Sequence, residues 1–306
     1  MNKAEWLQDK LEELDDEAFV EVISKAAERS AKTEVKKNDQ IVHISMLDEE
    51  LAEVRSDRGK FKGLHTGYPT LDEKMGGLEE GAVILIGGET SNGKSALAVN
   101  MAIKVAQEVG TLYISLEMTR KQMLDRIDWI TDGKTTIDLM FQESFDLSYH
   151  DLEPLLLRAK EQGEVKVVFL DYLQYLGRGM DEREVAKMSK MIKKLALKYN
   201  IAFVVIVSLR KAGADVKNKR KWFEIETEDL MGTAAIGYDA DTAIIASRKN
   251  MENEFAPQNI YVKVLKTRNV HLDYNDRIVE LMWDRVRISE PFTTGVLKST
   301  EFKVIH

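Results

Sequence analysis

A glycine-rich segment between an apolar run and an amphipathic segment constrains this chain more than any other feature. The run AVILIG (Ala82–Gly87) predicts a buried strand, and the residues after Lys94 have the apolar spacing of a helix. Between them, Gly88, four further residues and then Gly93-Lys94-Ser95 complete the pattern G-x-x-x-x-G-K-[ST]. Glycines let successive backbone N–H groups converge on an anion, and a helix start adds partial positive charge. The pattern therefore predicts a site for the phosphates of a nucleoside triphosphate.

The residues expected to contact the nucleotide form one continuous stretch: Gly88, Glu89, Thr90, Ser91, Asn92, Gly93, Lys94, Ser95 and Ala96. Lys94 supplies a compact positive charge for the β- and γ-phosphates, and the Ser95 hydroxyl is a suitable ligand for Mg²⁺. A glycine-rich turn with a lysine in solvent is the alternative. The strand before the loop and the helix after it favour phosphate binding.

Two carboxylates follow other strand-like runs. Asp171 ends the run VKVVFLD (Val165–Asp171), and Glu117 lies just beyond TLYIS (Thr111–Ser115). Because the carboxyl ends of parallel strands face one crevice, both side chains are expected near the phosphate loop. Asp171 is expected to hold Mg²⁺ with its water shell, and Glu117 to polarise an attacking water. For Glu117, a surface position at the start of a helix is the alternative.

Composition excludes several other classes of site. The 306 residues include no cysteine, so disulfides and thiolate metal sites are impossible, and the five histidines lack metal-ligand spacing. A net charge of −8 argues against a protein coated in nucleic acid, although a local basic strip could still bind it. The sequence has neither an apolar run that would span a bilayer nor an apolar signal segment at its start. We therefore expect a cytoplasmic protein with no membrane partner.

Short apolar runs alternate with helical patterns from about residue 61 onward. The first four runs are nearly all apolar and are separated by segments long enough for crossover helices. This arrangement predicts an α/β fold with a mostly parallel, twisted sheet flanked by helices. The strand-like runs are Ala82–Gly87, Thr111–Ser115, Val165–Asp171, Ala202–Val207, Thr242–Ser247 and Tyr261–Lys266.

Three regions are expected along the chain. Residues 1–40 have the apolar spacing of a small helical segment followed by a polar linker, and residues 61–306 form the α/β domain. Residues 41–60 predict a short amphipathic helix with Leu47, Leu51 and Val54 on one face. That face either packs on the chain's own core or docks as a linker helix on a neighbouring subunit.

Five motifs together resemble the RecA-like motor domain of DnaB-type replicative hexameric helicases. They are GLHTGYPTLDEKMGGL, GGETSNGKS, YISLEM, VVFLDYLQYL and DLMGTAAIGYDADTAII, and the resemblance runs from about Lys62 to Ile288. Phage or plasmid versions are the nearest kind, so the resemblance implies a protein of the bacterial cell, encoded by the host or by a phage. The resemblance implies a RecA-like P-loop NTPase fold that hydrolyses ATP with Mg²⁺ at the subunit interfaces of a hexamer. It further implies 5′–3′ movement on single-stranded DNA through the ring, with a primase or a helicase loader as partner.

The resemblance also implies roles for individual residues. Arg126 matches a family arginine near the nucleotide, and Lys266 and Arg268 match a K-x-R-N segment whose basic residues reach the γ-phosphate of the neighbouring subunit. Alternation along a strand would place Lys266 and Arg268 on one face. A guanidinium supplied in trans neutralises charge in the transition state. Without the resemblance, a solvated strand end would be preferred.

Contacts to DNA are expected in two loops. The stretch RKAGADVKNKRK (Arg210–Lys221) contains one acid among its basic residues, and GRG (Gly177–Gly179) follows the Asp171 strand. In a ring, such loops project into the channel and contact phosphates without reading bases. A solvated, mobile face is the alternative. The expected DNA contacts are Arg178, Lys217, Lys219, Arg220, Lys221 and the backbone of Gly232.

Two departures from the family pattern support a second hypothesis. The family has S-Q-L after the strand Ala202–Val207, whereas this chain has Ser208 without the glutamine, and Met231 stands in the segment where the family has R-E-S-G. An ATP-switched assembly of the RecA or RadA type, or a regulatory ring without unwinding activity, is therefore the alternative to a translocating helicase motor. The N-terminal region is also shorter than the family's helical collar and patterned differently, so docking of a loader or primase at that collar is not carried over.

Overall fold

The computed structural model describes residues 52, 61, 63–133, 137–176, 181–209, 225–230, 234–248, 258–268, 270, 277–284 and 286–291. Almost all of them belong to the second of two compact units, Phe61–His306. The helical segment expected in residues 1–40 lies outside the described residues, and so does the linker helix expected in 41–60 apart from residue 52. Both stay predictions.

A single sheet of nine strands forms the centre of the described part of the chain. The strands are β1 (Val83–Gly87), β2 (Thr111–Ser115), β3 (Leu139–Glu143), β4 (Val167–Asp171), β5 (Ala202–Ile206), β6 (Thr242–Arg248), β7 (Gln258–Lys266), β8 (Ile278–Trp283) and β9 (Ile288–Ser289). Their spatial order is β3-β2-β4-β5-β1-β6-β7-β8-β9. The first six strands in this order are parallel, and β7, β8 and β9 continue the sheet antiparallel. The predicted fold class is confirmed.

The helices cover both faces of this sheet. They are α1 (Pro69–Met75), α2 (Lys94–Val105), α3 (Arg120–Thr131), α4 (Leu152–Gln162), α5 (Leu173–Leu176), α6 (Glu182–Tyr199) and α7 (Ala234–Asp239). Short 3₁₀ turns cover Tyr149–Asp151 and Thr227–Asp229. Among the described residues, none of the helices has the length and apolar composition needed to cross a bilayer.

Each face of the sheet carries its own hydrophobic core. On one face α2 packs Leu97 and Met101 against Ile84 and Ile86 of β1. On the other face α6 and α4 bury apolar side chains with the alternate residues of the same strands, such as Leu85. Because the central strands are buried on both faces, their sequences are nearly all apolar, which made them recognisable.

All six predicted strands are present, and three further strands were not predicted. β3 lies at the sheet edge with every residue only partly buried, and it reads LMFQE without a continuous apolar run. β8 alternates exposed and buried residues in its first half, and β9 has only two residues. Short edge strands take their conformation from a neighbour's hydrogen bonds, so their own sequence signal is weak.

Parallel pairing places the ends of β1, β2 and β4 at one edge of the sheet. Ser115 is opposite Asp171 in the register of β2 with β4, and the Leu116 N–H donates to the Asp171 carbonyl at 2.7 Å. The loop after β1 leads to α2 at the same edge. This carboxyl edge is where open α/β sheets bind ligands.

A buried hydrogen bond links β2 to β4 beneath this edge. The Tyr113 hydroxyl donates to Asp171 Oδ2 at 2.8 Å, and both side chains are fully buried. The Tyr113 ring stacks on Phe169, with centroids 5.9 Å apart and planes inclined by 9°. Burial raises the pKa of the Tyr113 hydroxyl well above its usual range, and the nearby Asp171 charge adds to this effect. The hydroxyl therefore stays protonated and donates to the carboxylate.

We expect Tyr113→Phe to lower the free energy of unfolding by about 1.5–3 kcal/mol, the usual loss for a hydrogen bond to a charged group. The ring should stay in place because Phe169 still stacks on it. Urea denaturation measures the change. Tyr149→Phe is the matched control, since the Tyr149 hydroxyl bonds to none of the described residues, and it should change stability by less than about 0.5 kcal/mol. Equal effects of the two substitutions would contradict a role for this bond.

Candidate nucleotide-binding site

The loop between β1 and α2 has a backbone that only glycine allows at its first residue. Gly88 has a φ of 156°, and a Cβ there would lie 2.5 Å from the carbonyl oxygen of Ala246. Gly93, with a φ of 85°, is the N-cap of α2 and leaves the start of the helix without a side-chain cap. The first N–H groups of α2 therefore have no side-chain acceptor. Together with the helix dipole they form a site for an anion.

Lys94 is the first residue of α2 and is buried beneath this loop. Its Nζ donates to the backbone carbonyl of Glu89 at 2.7 Å, so the lysine lies inside the curve of the loop. Burial lowers the pKa of the Lys94 ammonium, while the charges of Asp171, Glu117 and Glu89 oppose this shift. A buried cation is stabilised by a nearby anion, so this position favours a negatively charged ligand.

Ser95 and Asp171 meet at the base of the loop. The Ser95 hydroxyl donates to Asp171 Oδ1 at 3.2 Å, while Tyr113 holds the other carboxylate oxygen. The pKa of Asp171 is raised above its usual value because burial outweighs the hydrogen bonds from Tyr113 and Ser95, which act in the opposite direction. A hydroxyl beside a carboxylate is an oxygen donor pair that suits Mg²⁺, which typically takes one or two protein ligands with phosphate and water. The described residues include no cluster of three or more acidic or histidine side chains that could hold a metal without phosphate.

A pocket of about 770 Å³ opens above this base. The predicted residues that line it are Thr90, Ser91, Gly93, Lys94, Ser95, Ala96, Glu117 and Arg126. Gly88, Glu89 and Asn92 belong to the same loop but do not line the pocket, and Asp171 lies below it. Glu117 is exposed just after β2, and Arg126 is exposed on α3. The structure thus brings the expected phosphate, metal and water-activating groups to one place.

Two tryptophans also line the pocket, and the sequence analysis missed them. Trp129 on α3 and Trp283 at the end of β8 both line the pocket. The guanidinium of Arg248 lies 4.7 Å from the centre of a Trp283 ring and donates through Nη1 to the Ser91 carbonyl at 3.3 Å. The sequence analysis did not predict β8, which carries Trp283. Only the presence of tryptophans in the sequence could have indicated an aromatic lining.

Lys266 and Arg268 lie at the opposite edge of the sheet. β7 runs antiparallel to β6 and pairs Lys266 with Ala243 near the start of β6. Ala243 is in turn level with Leu85 of β1, so Lys266 lies about 7 Å along the strands from the level of Gly87, toward the amino edge. Neither cation lines the chain's own pocket. The sequence analysis used strand alternation to place Lys266 and Arg268 on one face. β7 ends at Lys266, however, so alternation does not determine the orientation of Arg268.

Both cations have partners within the chain. Lys266 Nζ donates to the Gly237 carbonyl at 2.6 Å, and Arg268 Nη1 donates to Asp241 Oδ1 at 2.8 Å. Burial and the neighbouring Arg268 charge lower the pKa of Lys266. The expected DNA contacts lie outside the described residues and stay predictions. They are Arg178, Lys217, Lys219, Arg220, Lys221 and Gly232.

Comparisons with known proteins show the family to which the chain belongs. The family model for the DnaB-like helicase C-terminal domain matches residues 63–132 and 130–285. A probable plasmid replicative DNA helicase of Chlamydia psittaci is 27% identical over 240 residues, which are 68% of this chain and 51% of that protein. The replicative DNA helicase DnaB of Leifsonia xyli subsp. xyli is 24% identical over 246 residues, 70% of this chain and 53% of the relative. The chain thus spans about half the length of the curated relatives it matches.

A similar fold occurs among solved structures. The structure of a DnaB-like replicative helicase and its interactions with primase has a TM-score of 0.68 at 18% sequence identity, covering 89% of this chain and 74% of that chain. At this identity the likeness concerns the fold alone. The family model covers well over half of the chain, so the resemblance seen in the motifs is confirmed. This chain belongs to the DnaB-like helicase C-terminal domain family.

Proposed function

We propose that this chain is the ATP-driven motor of a replicative DNA helicase, moving along single-stranded DNA as a ring, most simply a hexamer. One observation carries the proposal. In a chain of this family, an uncapped helix start, a buried lysine and the Ser95–Asp171 pair converge on one pocket at the carboxyl edge of the sheet. These groups match the phosphates of a nucleoside triphosphate and one Mg²⁺.

The phosphates would lie in the loop against the first N–H groups of α2, with Lys94 exchanging its bond to the Glu89 carbonyl for a phosphate oxygen. Ser95 and Asp171 would hold Mg²⁺, which when bound neutralises negative charge on the phosphates. Arg126, on the far wall, adds positive charge near the same pocket. The aromatic wall of Trp129 and Trp283 encloses the remaining space.

Hydrolysis also requires an activated water. Glu117 lines the pocket just after β2, where its carboxylate can accept a proton from a water that attacks the γ-phosphorus. A new phosphorus–oxygen bond forms, and the bond to the β–γ bridging oxygen breaks, with its electron pair leaving on ADP. Lys94 stabilises the negative charge that develops on the phosphate oxygens.

The far edge of the sheet would complete a neighbour's site. Arg268 and Lys266 do not line their own pocket, and the Arg268 side chain is 59% exposed. In a ring, a guanidinium at this edge can approach the γ-phosphate bound by the adjacent copy. This position supports the proposal that the active site is shared between two subunits.

The DNA path, direction and partners follow from family membership rather than from the described residues. We propose that the stretches Gly177–Gly179 and Arg210–Lys221 line the central channel, and that movement is 5′–3′. A DnaB-like relative is described in its interactions with primase, and we propose a primase or a loader as partner for this chain too. These proposals concern the activity of a whole helicase, and the chain spans about half the length of the curated relatives it matches.

A second candidate function rests on Ser208. This residue follows β5 and lines the pocket, where the family pattern has a glutamine beside the serine. In the family, that glutamine is the side chain expected to detect the γ-phosphate. Without its amide, the nucleotide state is coupled less directly to the residues expected to contact DNA. This favours an ATP-switched assembly of the RecA or RadA type, in which the nucleotide controls association rather than movement.

Lys94→Ala should reduce binding of a labelled ATP analogue below detection and abolish ATP hydrolysis, because the buried cation inside the loop is removed. Equilibrium binding and phosphate release measure the two effects. Lys190→Ala, which removes an exposed lysine of α6, is the control and should behave as the unmodified protein. Normal hydrolysis by Lys94→Ala would refute the assignment of the phosphate loop.

Arg268→Ala should bind the nucleotide normally but lower turnover by about 10³–10⁵-fold, the range for an arginine supplied to a phosphoryl-transfer site. Activity should return when it is mixed with Lys94→Ala subunits, which have an intact Arg268 to lend. Arg183→Ala, an exposed arginine of α6, controls for lost charge. Normal turnover by homogeneous Arg268→Ala would overturn the shared site.

A forked duplex separates the two candidate functions. With ATP and Mg²⁺, the full chain should release a labelled strand from a fork that has a 5′ single-stranded tail, and not from one with only a 3′ tail. Lys94→Ala gives the background. Release that depends on the 3′ tail would contradict the direction. ATP-dependent binding that grows with strand length, without strand release, would favour the switched assembly.

A further inference from the structure

Asp241 joins three parts of the chain at the amino edge of the sheet. It lies just before β6 and is almost fully buried. Its Oδ2 accepts hydrogen bonds from the Val83 N–H at 2.8 Å and from Lys193 Nζ at 2.7 Å, and its Oδ1 accepts from Arg268 Nη1 at 2.8 Å. One carboxylate therefore connects the start of β1, the helix α6 and the residue proposed to act in trans.

The bonds to Val83 and Lys193 fix the carboxylate independently of Arg268. Val83 is the first residue of β1, the central strand of the sheet, and Lys193 also donates to the Gly81 carbonyl at 3.0 Å. A buried carboxylate held by a backbone amide and a lysine is a rigid acceptor. Arg268 is thus attached, through Asp241, to the central strand of the sheet and to α6.

The bond leaves most of the guanidinium available. Arginine has five N–H donors in a planar fork, and only Nη1 is used on Asp241. The Arg268 side chain remains 59% exposed, whereas that of Asp241 is 8% exposed. The buried oxygen holds one corner of the fork, and no other described residue accepts a hydrogen bond from the remaining donors.

Asp241 also offsets the repulsion between two neighbouring cations. The Arg268 charge lowers the pKa of Lys266, and the Asp241 charge acts in the opposite direction. Lys266 is held separately by the Gly237 carbonyl. Without the carboxylate, the two positive side chains would move apart, because among the described residues Asp241 is the one hydrogen-bond partner that fixes the direction of Arg268.

We propose that Asp241 is a positioning residue for the shared ATPase site, holding Arg268 so that its free donors point at the neighbouring subunit's γ-phosphate. This inference rests on the proposed function, since it assumes that Arg268 acts in trans. An arginine on a long flexible side chain loses conformational freedom when it binds phosphate. Asp241 reduces that loss before the phosphate arrives.

Asp241→Asn tests the proposal in two backgrounds. In the unmodified chain it should lower kcat about ten- to hundredfold with little change in KM for ATP, because the bond to Arg268 is lost or weakened. In the Arg268→Ala background it should lower kcat by less than about twofold, since the residue it positions is absent. Equal further losses in both backgrounds would show a merely structural role and overturn the proposal.

Lys193→Met is the matched control for stability. It removes another charged partner of Asp241 and leaves the bond between Asp241 and Arg268 in place. Both Lys193→Met and Asp241→Asn should lower the melting temperature, but only Asp241→Asn should lower kcat. If Lys193→Met lowers kcat as much as Asp241→Asn does, the effect belongs to the fold and not to Arg268.

Mixed oligomers locate the defect. Asp241→Asn subunits should regain turnover when mixed with Lys94→Ala subunits, which lend a correctly held Arg268. They should not regain it with subunits that carry both Lys94→Ala and Asp241→Asn. If recovery is equal in the two mixtures, Asp241 is not a positioning residue. If Arg268→Ala itself has normal turnover, the proposed shared site fails first, and the two failures are thereby distinguished.

Discussion

The candidate site depends on the burial of two opposite charges at one edge of a parallel sheet. Burial lowers the pKa of Lys94 and raises that of Asp171, so each charged form is disfavoured by loss of water. The charge of Asp171 opposes the shift of Lys94, and Tyr113 and Ser95 hold the carboxylate by hydrogen bonds. Such a pair is best stabilised by ligands that add negative charge above the lysine and positive charge beside the carboxylate. A nucleotide with its metal supplies both.

The residues proposed to act in ATP hydrolysis lie in two groups, one at each edge of the sheet. Its parallel strands bring the loop, Glu117 and Asp171 to the carboxyl edge. The antiparallel return of β7 carries Lys266 and Arg268 to the amino edge, because it pairs with β6 in the reverse direction. Neither cation lines the chain's own pocket. This separation is what supports the proposal that the active site is shared between two copies.

The sequence predicted the parts of the fold and the site that are set by local order along the chain. The loop from Gly88 to Ala96 was predictable because a phosphate-binding loop requires a particular spacing of glycines, lysine and serine. That spacing, between a strand and a helix, can be read directly from the sequence. Asp171 and Glu117 were predictable because Asp171 ends one apolar strand and Glu117 lies just beyond another, and parallel strands end at one edge. The strand runs were recognisable because burial on both faces makes them apolar throughout.

The remaining features arise from pairings between distant segments, which a single sequence does not encode locally. Tyr113 appeared as one more residue of a buried strand, and its role depends on the register that places β2 beside β4. Trp283 reaches the pocket through a strand whose alternation was too weak to recognise. Asp241 lies far along the chain from Val83 and Arg268, yet contacts both. The residues that hold the chemistry in place are thus less visible in sequence than those that perform it, because positioning is a property of the assembled sheet.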